Sequence, residues 1–213
     1  MVAIKICGMR EPANIAEVAQ YAPDYMGFIC WPGSKRFIGQ ELEKSDLDKS
    51  LGLIKRVGVF VNQSLEEIAF WCVKLGLTIV QLHGDESPDF CLNIRKIEGI
   101  NEVWKAIPIG DLYPVLEVAQ YQKIVERILF DTKSAERGGS GRAFSWKLLE
   151  AYSGTKPVVL SGGLSHDNID QVKELCKQHG QISILDYNSA LESLPGVKDL
   201  NCVAKVLGEI ERY

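Results

Sequence analysis

Several familiar signatures are missing from this sequence. Its six cysteines include no C-x-x-C pair, which argues against zinc ribbons and thioredoxin-type redox sites. No apolar run is long enough to span a membrane, and the first residues lead into charge at Lys5 instead of forming a signal peptide. Lys and Arg are scattered, and the net charge of −4 argues against a nucleic-acid partner. We therefore expect a cytoplasmic protein that binds neither nucleic acid nor membrane.

The composition is that of an ordinary globular protein. Apolar residues make up 46% and charged residues 24% of the 213 positions. This length supports one sizeable core and is marginal for two, so residues 1–213 are predicted to form a single domain. Cys72, Cys91, Cys176 and Cys202 fall in helix-like segments, where a reduced cysteine serves as a small buried apolar side chain.

Short β-branched runs alternate with longer amphipathic stretches along the whole chain. Ser64 with Glu67 is predicted to cap one helix, and Ser87 before Pro88 another. The predicted strands are residues 2–7, 25–30, 56–61, 79–83, 103–107, 127–132, 157–161 and 183–187. The clearest predicted helices are residues 64–75, 87–97, 167–179 and 198–210. Eight strands alternating with helices predict an α/β fold whose parallel sheet, at this length, can close into a (βα)8 TIM barrel.

The main alternative to the barrel is a doubly wound open sheet. That fold predicts a G-x-G-x-x-G turn after the first strand, whereas this chain reads Cys7-Gly8-Met9-Arg10 there. We therefore predict the barrel, in which an active site forms at the carboxyl ends of the strands.

Alternation along the strands predicts which side chains enter the barrel. Lys5 and Cys7 share one face of the first strand, and Gln81 and His83 share one face of the fourth. Asp131, on the sixth strand, is placed inward by the same argument, because its apolar neighbours fall on the other face. The interior is therefore predicted to carry several polar groups.

Lys105 and Asp186 are also expected to point inward, which would give the interior two lysines and two aspartates that neutralise each other. Buried ion pairs of this kind need no catalytic role. For Lys5 and Lys105 we favour this structural interpretation.

Cys7 and Asp131 differ from these residues because they occupy the outermost positions of the first and sixth strands. A thiol beside Lys5 can have its pKa lowered and act as a base. A carboxyl group on the facing side of the barrel can supply the matching acid. His83 is as consistent with orienting its neighbours as with transferring protons.

Gly-rich or small-residue stretches follow the last three strands. They are Gly138-Gly139-Ser140-Gly141, Ser161-Gly162-Gly163-Leu164 and Asn188-Ser189-Ala190. Exposed N–H groups in such loops bind phosphate well, and phosphate sites after the seventh and eighth strands recur in TIM barrels. After the second strand, Arg36 can grip a carboxylate with two parallel hydrogen bonds.

The sequence resembles the phosphoribosylanthranilate isomerase family at these positions. In the first three strands the matching segments are Lys5-Ile6-Cys7-Gly8, Gly27-Phe28 with Pro32-Gly33-Ser34-Lys35-Arg36, and Val57-Gly58-Val59-Phe60-Val61-Asn62. Further along they are Val80-Gln81-Leu82-His83-Gly84, Asp131-Thr132 with Gly138-Gly139-Ser140-Gly141, and Leu160-Ser161-Gly162-Gly163-Leu164. The match runs in order from residue 4 to about Asp199, and this ordered combination is highly specific.

The resemblance implies roles for individual residues. In that family a Cys at the end of strand one is the general base and an Asp at the end of strand six the general acid, here Cys7 and Asp131. An Arg of the S-x-R segment binds the anthranilate carboxylate, here Arg36. The implied phosphate-binding residues are Gly162, Gly163, Ser189 and Ala190. Further substrate-binding candidates are His83 and Gly141, and the supporting residues are Lys5, Gln81 and Asp186.

The implied reaction is an Amadori rearrangement of N-(5-phosphoribosyl)anthranilate in tryptophan biosynthesis. Asp131 would protonate the ring oxygen and open the ring to an iminium ion. Cys7, as a thiolate, would then remove the C2′ proton, and the enolamine would tautomerise to the ketone. We expect no cofactor and no metal, a small phosphorylated substrate as the partner, and a monomer with a homodimer as the alternative.

One stretch departs from the family pattern. The family usually shows D-V-x-S-G-V-E after the eighth strand, whereas this chain reads Asp186-Tyr187-Asn188-Ser189-Ala190-Leu191-Glu192. Ala190 adds a methyl group where the backbone would approach phosphate, and it would bring strain if its φ were positive.

Two other functions are compatible with the residues, and a third is disfavoured. Lys5 or Lys105 could form a Schiff base, as in sugar-phosphate aldolases. A metal-dependent epimerase is disfavoured because, of three histidines, only His83 lies at a strand end. A sugar-phosphate binding module without catalysis would be consistent with Ala190.

Overall fold

The computed structural model describes residues 2–132 and 145–210 of the chain. Eight parallel strands follow one another around a closed barrel in the order of the sequence. The strands are β1 (Ala3–Ile6), β2 (Tyr25–Ile29), β3 (Lys55–Phe60), β4 (Ile79–Leu82), β5 (Glu102–Ile109), β6 (Arg127–Thr132), β7 (Val158–Leu160) and β8 (Ile182–Tyr187). Each overlaps a predicted strand, so the predicted (βα)8 barrel is confirmed.

Helices cover the outside of the barrel. They are α1 (Pro12–Ala19), α2 (Lys44–Leu51), α3 (Leu65–Leu75), α4 (Pro88–Ile94), α5 (Val115–Tyr121), α6 (Ile169–Gln178) and α7 (Leu200–Glu209). Two 3-10 helices (Trp146–Ala151 and Ser189–Leu191) and a hairpin of β9 (Glu192–Leu194) and β10 (Val197–Lys198) are also present. Within the described ranges, no helix is long and apolar enough to cross a membrane.

Two of the predicted helix starts are confirmed by their caps. The Ser64 hydroxyl accepts a hydrogen bond from the Glu67 amide, and the Glu67 carboxylate accepts one from the Ser64 amide. The Ser87 hydroxyl accepts from the Phe90 amide at the start of α4, whose first residue is Pro88. Each cap satisfies amides that have no partner within the helix.

The apolar core has two layers, one between the strands and the helices and one inside the barrel. The inner layer is formed by Tyr25, Val57, Ile79, Trp104, Ala106, Leu129, Val159 and Ile184. Cys72 and Cys91 are buried in the outer layer as predicted, whereas Cys176 and Cys202 are only partly buried. The inner layer fills the lower barrel, which leaves the carboxyl ends of the strands, here called the barrel mouth, for polar groups.

Lys105 does not point into the barrel, and the prediction that it does is wrong. Its neighbours Trp104 and Ala106 belong to the inner layer, so Lys105 lies on the outer face of β5. There its ammonium donates to the Glu86 carboxylate at 3.0 Å and to the Gly84 carbonyl at 2.7 Å. Both faces of β5 are buried, so this strand shows no clear alternation from which the direction could be read.

The last helix begins later than predicted. Lys198 belongs to β10 rather than to α7, and the Asp199 side chain caps α7 by accepting from the Asn201 and Cys202 amides. The Lys198 amide instead donates to the Asn14 side chain at 2.7 Å. A stronger N-cap one residue later therefore sets the helix start.

Candidate active site

Cys7 and Asp131 lie at the barrel mouth, at the ends of β1 and β6. The Cys7 amide donates a 2.8 Å hydrogen bond to the Tyr187 carbonyl of β8. Asp131 follows the inner-layer residue Leu129 at the two-residue spacing of a strand, so it faces inward as predicted. Gly27 of β2 makes room for the thiol, because a Cβ atom there would lie 2.7 Å from the Cys7 Sγ.

The Lys5 ammonium is the buried centre of the site. Its Nζ donates to Asp186 Oδ2 at 2.7 Å and to Gln81 Oε1 at 2.9 Å, and all three side chains are buried. Burial lowers the pKa of Lys5, but the Asp186 carboxylate and Cys7 outweigh it, so the pKa is raised overall. Lys5 is therefore a charged ion-pair partner, in agreement with the structural interpretation favoured from the sequence.

The Cys7 thiol is under opposing influences. Burial raises its pKa above the ordinary value, and the positive charge of Lys5 lowers it without full compensation. Lys5 lowers the Cys7 pKa, as the sequence predicted, but the net shift is upward because removal from water outweighs the nearby ammonium. Lys5 still favours the thiolate relative to a site without that charge.

A second group of side chains links Lys5 to Asp131. The Gln81 Nε2 lies 3.0 Å from the His83 Nδ1, and the His83 Nε2 lies 3.3 Å from the Asp131 Oδ2. The Thr132 amide donates to the other carboxyl oxygen of Asp131 at 2.8 Å. A continuous polar network therefore crosses the barrel mouth from Lys5, beside Cys7, to Asp131.

Arg36 is tied to a partner that the sequence reasoning did not identify. Its Nε and Nη2 donate to the Glu192 carboxylate at 2.8 and 2.7 Å, and Glu192 also accepts from the buried Lys198 ammonium at 2.8 Å. The Arg36 Cδ approaches Gly8, the residue after Cys7, so closely that a Cβ atom there would lie 2.9 Å away. The Arg36 guanidinium therefore lies beside the candidate base.

Sequence signals for these two partners were present but weak. Glu192 stands in the stretch after β8 that resembles the family pattern, and Lys198 fell in the predicted last helix. Local sequence at either position does not indicate a contact with Arg36. Glu192 is separated from Arg36 by 156 positions in the sequence.

The residues predicted to bind phosphate lie where the strands β7 and β8 end. Gly162 and Gly163 have φ angles of +82° and +76°, and a Cβ atom on Gly162 would lie 2.8 Å from the Asp131 Oδ1. Ser189 and Ala190 lie in the 3-10 helix after β8. Ala190 has no positive φ, so the alanine brings no backbone strain. Gly141, the remaining substrate-binding candidate, lies outside the described residues.

A thiol, a carboxyl group and a buried ammonium at the mouth of a closed (βα)8 barrel define a barrel enzyme, because active sites of this fold are built at that end. In the part of the chain that the structure describes, no group of three His, Cys, Asp or Glu side chains is arranged to hold a metal ion. The sequence profile described as N-(5'-phosphoribosyl)anthranilate (PRA) isomerase matches residues 4–209. The chain belongs to this family.

Individual relatives agree with this assignment. The N-(5'-phosphoribosyl)anthranilate isomerase of Parabacteroides distasonis is 37% identical over 208 residues, which are 97% of this chain and 92% of that protein. The crystal structure of phosphoribosyl anthranilate isomerase from Thermotoga maritima is similar with a TM-score of 0.84 and 32% identity, and covers 97% of each chain. A phosphoribosyl anthranilate isomerase solved in complex with reduced 1-(O-carboxyphenylamino)-1-deoxyribulose 5-phosphate gives a TM-score of 0.78 with 28% identity, again over 97% of each chain.

Proposed function

We propose that this chain converts N-(5-phosphoribosyl)anthranilate to 1-(2-carboxyphenylamino)-1-deoxyribulose 5-phosphate in tryptophan biosynthesis. The observation that carries the proposal is that Cys7 and Asp131 face one barrel mouth and are linked by a polar network through Lys5. The reduced phosphate-bearing compound bound by one structural relative has the carbon skeleton of the proposed product.

The first step is opening of the ribose ring. Asp131 donates a proton to the ring oxygen, the bond between that oxygen and C1′ breaks, and the anthranilate nitrogen supplies the electron pair that forms the iminium ion. The carboxylate left on Asp131 then accepts from the Thr132 amide and lies next to the His83 Nε2, so its charge is stabilised. A positioned proton transfer of this kind contributes about 10²- to 10⁴-fold to the rate.

The second step is removal of the C2′ proton by the Cys7 thiolate. The iminium ion withdraws electrons from C2′, so the electron pair of the C–H bond moves into a C1′–C2′ double bond and neutralises the nitrogen. The resulting enolamine tautomerises to the ketone. Because the iminium ion itself acidifies the C–H bond, we expect the reaction to need neither metal nor cofactor.

The substrate contacts follow from the same geometry. The Glu192 carboxylate accepts from Nε and from one hydrogen of Nη2 of Arg36. The remaining edge of the guanidinium, formed by Nη1 and the other hydrogen of Nη2, is the one that we propose binds the anthranilate carboxylate. For the phosphate we propose the backbone amides that follow β7 and β8. These belong to Gly162, Gly163, Ser189 and Ala190. Substrate contacts of His83 and Gly141 remain predictions, as do the cytoplasmic location and the monomeric state.

The main catalytic alternative is less well supported. A Schiff-base enzyme needs an unprotonated amine, whereas the ion pair with Asp186 raises the pKa of Lys5. Lys105 is bound to Glu86 on the outer face of the barrel. Both lysines are therefore better described as supports for the site than as nucleophiles.

The direct test follows anthranilate fluorescence while purified protein meets phosphoribosylanthranilate generated in situ. We expect the wild type to remove the signal far faster than the spontaneous reaction. The matched control is the Cys7→Ala/Asp131→Asn double variant, which should bind the substrate with nearly the wild-type Kd and turn it over no faster than the background. Folded wild-type protein that binds the substrate without turnover would instead support the binding-module alternative.

A further inference from the structure

The polar network at the barrel mouth has a direction that can be read from its hydrogen-bonding groups. The Lys5 ammonium has three donors and no acceptor, so the Gln81 atom that faces it must be the carbonyl Oε1. The Gln81 amide nitrogen Nε2 is then turned toward the His83 Nδ1. Because Nε2 is only a donor, the His83 Nδ1 has to be the acceptor.

This arrangement fixes the tautomer of His83. With Nδ1 accepting, the neutral imidazole carries its proton on Nε2 and donates it to the Asp131 Oδ2, 3.3 Å away. A doubly protonated ring would place an N–H group on Nδ1 against the N–H group of Gln81. The other neutral tautomer would produce the same conflict at Gln81 and leave two acceptors facing each other at Asp131 when that carboxyl group is ionised.

We propose that His83 is a positioning residue for the general acid, held by Lys5 through Gln81 as the tautomer protonated on Nε2. This inference rests on the proposed function, in which Asp131 is the acid. The His83 Nε2–H and the Thr132 amide bind the two oxygens of one carboxyl group, so together they fix the plane in which Asp131 meets the ring oxygen. The carboxylate formed after proton donation is stabilised by the same two donors.

The Lys5 ammonium has two effects in this network. Lys5 lies beside Cys7, where its charge favours the thiolate, and it sets the orientation of Gln81 from the same position. Lys5 and Gln81 are almost completely buried, so water does not compete with these bonds. Base and acid are therefore oriented by one shared group, although they lie on different strands.

The tautomer can be measured without any reaction. In protein labelled with 15N at its three histidines, two-dimensional NMR distinguishes a protonated ring nitrogen from an unprotonated one, and the His83 signals are those missing from the spectrum of His83→Gln. We expect His83 to be protonated at Nε2 and unprotonated at Nδ1 in the wild type. In Gln81→Glu, whose carboxylate accepts from both sides, Nδ1 should become protonated. A wild-type His83 that carries its proton on Nδ1 would overturn the proposal.

Kinetics of two matched variants test the role in catalysis. The amide nitrogen of Gln in His83→Gln can replace the Nε2 donor, whereas Asn in His83→Asn reaches only as far as Nδ1. We expect kcat to fall by about 10- to 100-fold in His83→Asn, the range that loss of one hydrogen bond to a charged group implies, and to recover in large part in His83→Gln. Equal kcat values in the two variants, with both proteins folded by circular dichroism, would contradict the proposal. A wild type without turnover would refute the proposed function but leave the tautomer measurement valid.

Discussion

At the scale of single residues, the protonation of each group in the site depends on its burial and on the charges beside it. The Cys7 thiol is buried, which raises its pKa, and Lys5 recovers part of that cost by placing a positive charge beside it. The Lys5 charge is itself maintained by Asp186, at 2.7 Å. The proposed base is therefore a thiol whose pKa depends on a buried ion pair rather than on exposure to water.

This balance predicts the pH dependence of the reaction. The proposed base works only as a thiolate and the proposed acid only as a protonated carboxyl group, so Cys7 and Asp131 must hold one proton between them. The value of kcat/KM should therefore fall as pH rises through the Cys7 pKa, where that proton is lost, and the raised pKa places this fall above the ordinary value of a thiol, about 8.5. In Lys5→Met this fall should move further to alkaline pH, because burial of the thiol remains and the opposing positive charge is gone. Profiles of kcat/KM against pH measure both. The control Lys49→Met removes a largely exposed lysine and should leave the profile in place. A Lys5→Met profile that coincides with the wild type would contradict the assignment.

Whether a side chain points into or out of the barrel could be predicted only where polar and apolar residues alternate along the strand. In β4 the polar Gln81 and His83 share a face opposite apolar residues, and their inward direction is confirmed by their contacts with Lys5 and Asp131. In β5 apolar residues flank Lys105 on both faces, and the predicted direction was wrong. A strand buried on both sides carries no period-two signal, so packing decides which face a lysine takes.

At the scale of elements, the hairpin of β9 and β10 holds Arg36, the arginine proposed to bind the substrate carboxylate. Glu192 begins β9 and Lys198 ends β10, so the hairpin brings an anion and a cation together under Arg36. Burial raises the pKa of Glu192, but the hydrogen bonds and charges of Arg36 and Lys198 outweigh it, and the pKa is lowered overall. The loop after β2 is thereby tied to the segment after β8.

The lowered Glu192 pKa predicts how stability changes with pH. A carboxyl group whose pKa is lower in the folded state contributes stability above its unfolded pKa, and this contribution is lost as pH falls through the folded value. We expect Glu192→Gln to lower the free energy of unfolding by about 1–3 kcal/mol near pH 7, the range for hydrogen bonds to charged groups. The difference should shrink below about pH 4. Urea unfolding at both pH values measures it.

The control for this prediction is Glu66→Gln, which changes an exposed glutamate in the first turn of α3. Its effect should stay within about 0.5 kcal/mol at either pH. A Glu192→Gln deficit of the same size at pH 7 and at acid pH would show that lost packing, rather than lost charge, accounts for the effect.

Element positions and element contacts differed in how well the sequence predicted them. Strand order and the caps at Ser64 and Ser87 follow from local patterns and are confirmed. The pairing of Arg36 with Glu192 joins residues 156 positions apart, and no local pattern encodes it. The space beside Cys7 likewise depends on Gly27 of β2. The need for glycine at that position follows only from the pairing of β1 with β2, which local sequence does not show.

At the scale of the whole molecule, barrel closure is what assembles the site. The strands β1 and β8 are adjacent only because the sheet closes, and that contact pairs Lys5 with Asp186. The barrel and the family could be predicted because eight alternating units and an ordered series of motifs span the chain. For the polar network, the sequence predicted which residues take part but not which hydrogen bonds join them. Those bonds depend on side-chain rotamers and on strand register.

The most direct test of the account is a double-mutant cycle of Cys7→Ala and Asp131→Asn measured by single-turnover decay of anthranilate fluorescence. If both residues transfer protons in one reaction, each single variant should lose at least about 100-fold in rate. The double variant should then lose much less than the product of the two losses, because groups that act as a unit are not additive. A Cys7→Ala or Asp131→Asn variant that turns over substrate at the wild-type rate would contradict the central claim that this thiol and this carboxyl group are the base and the acid.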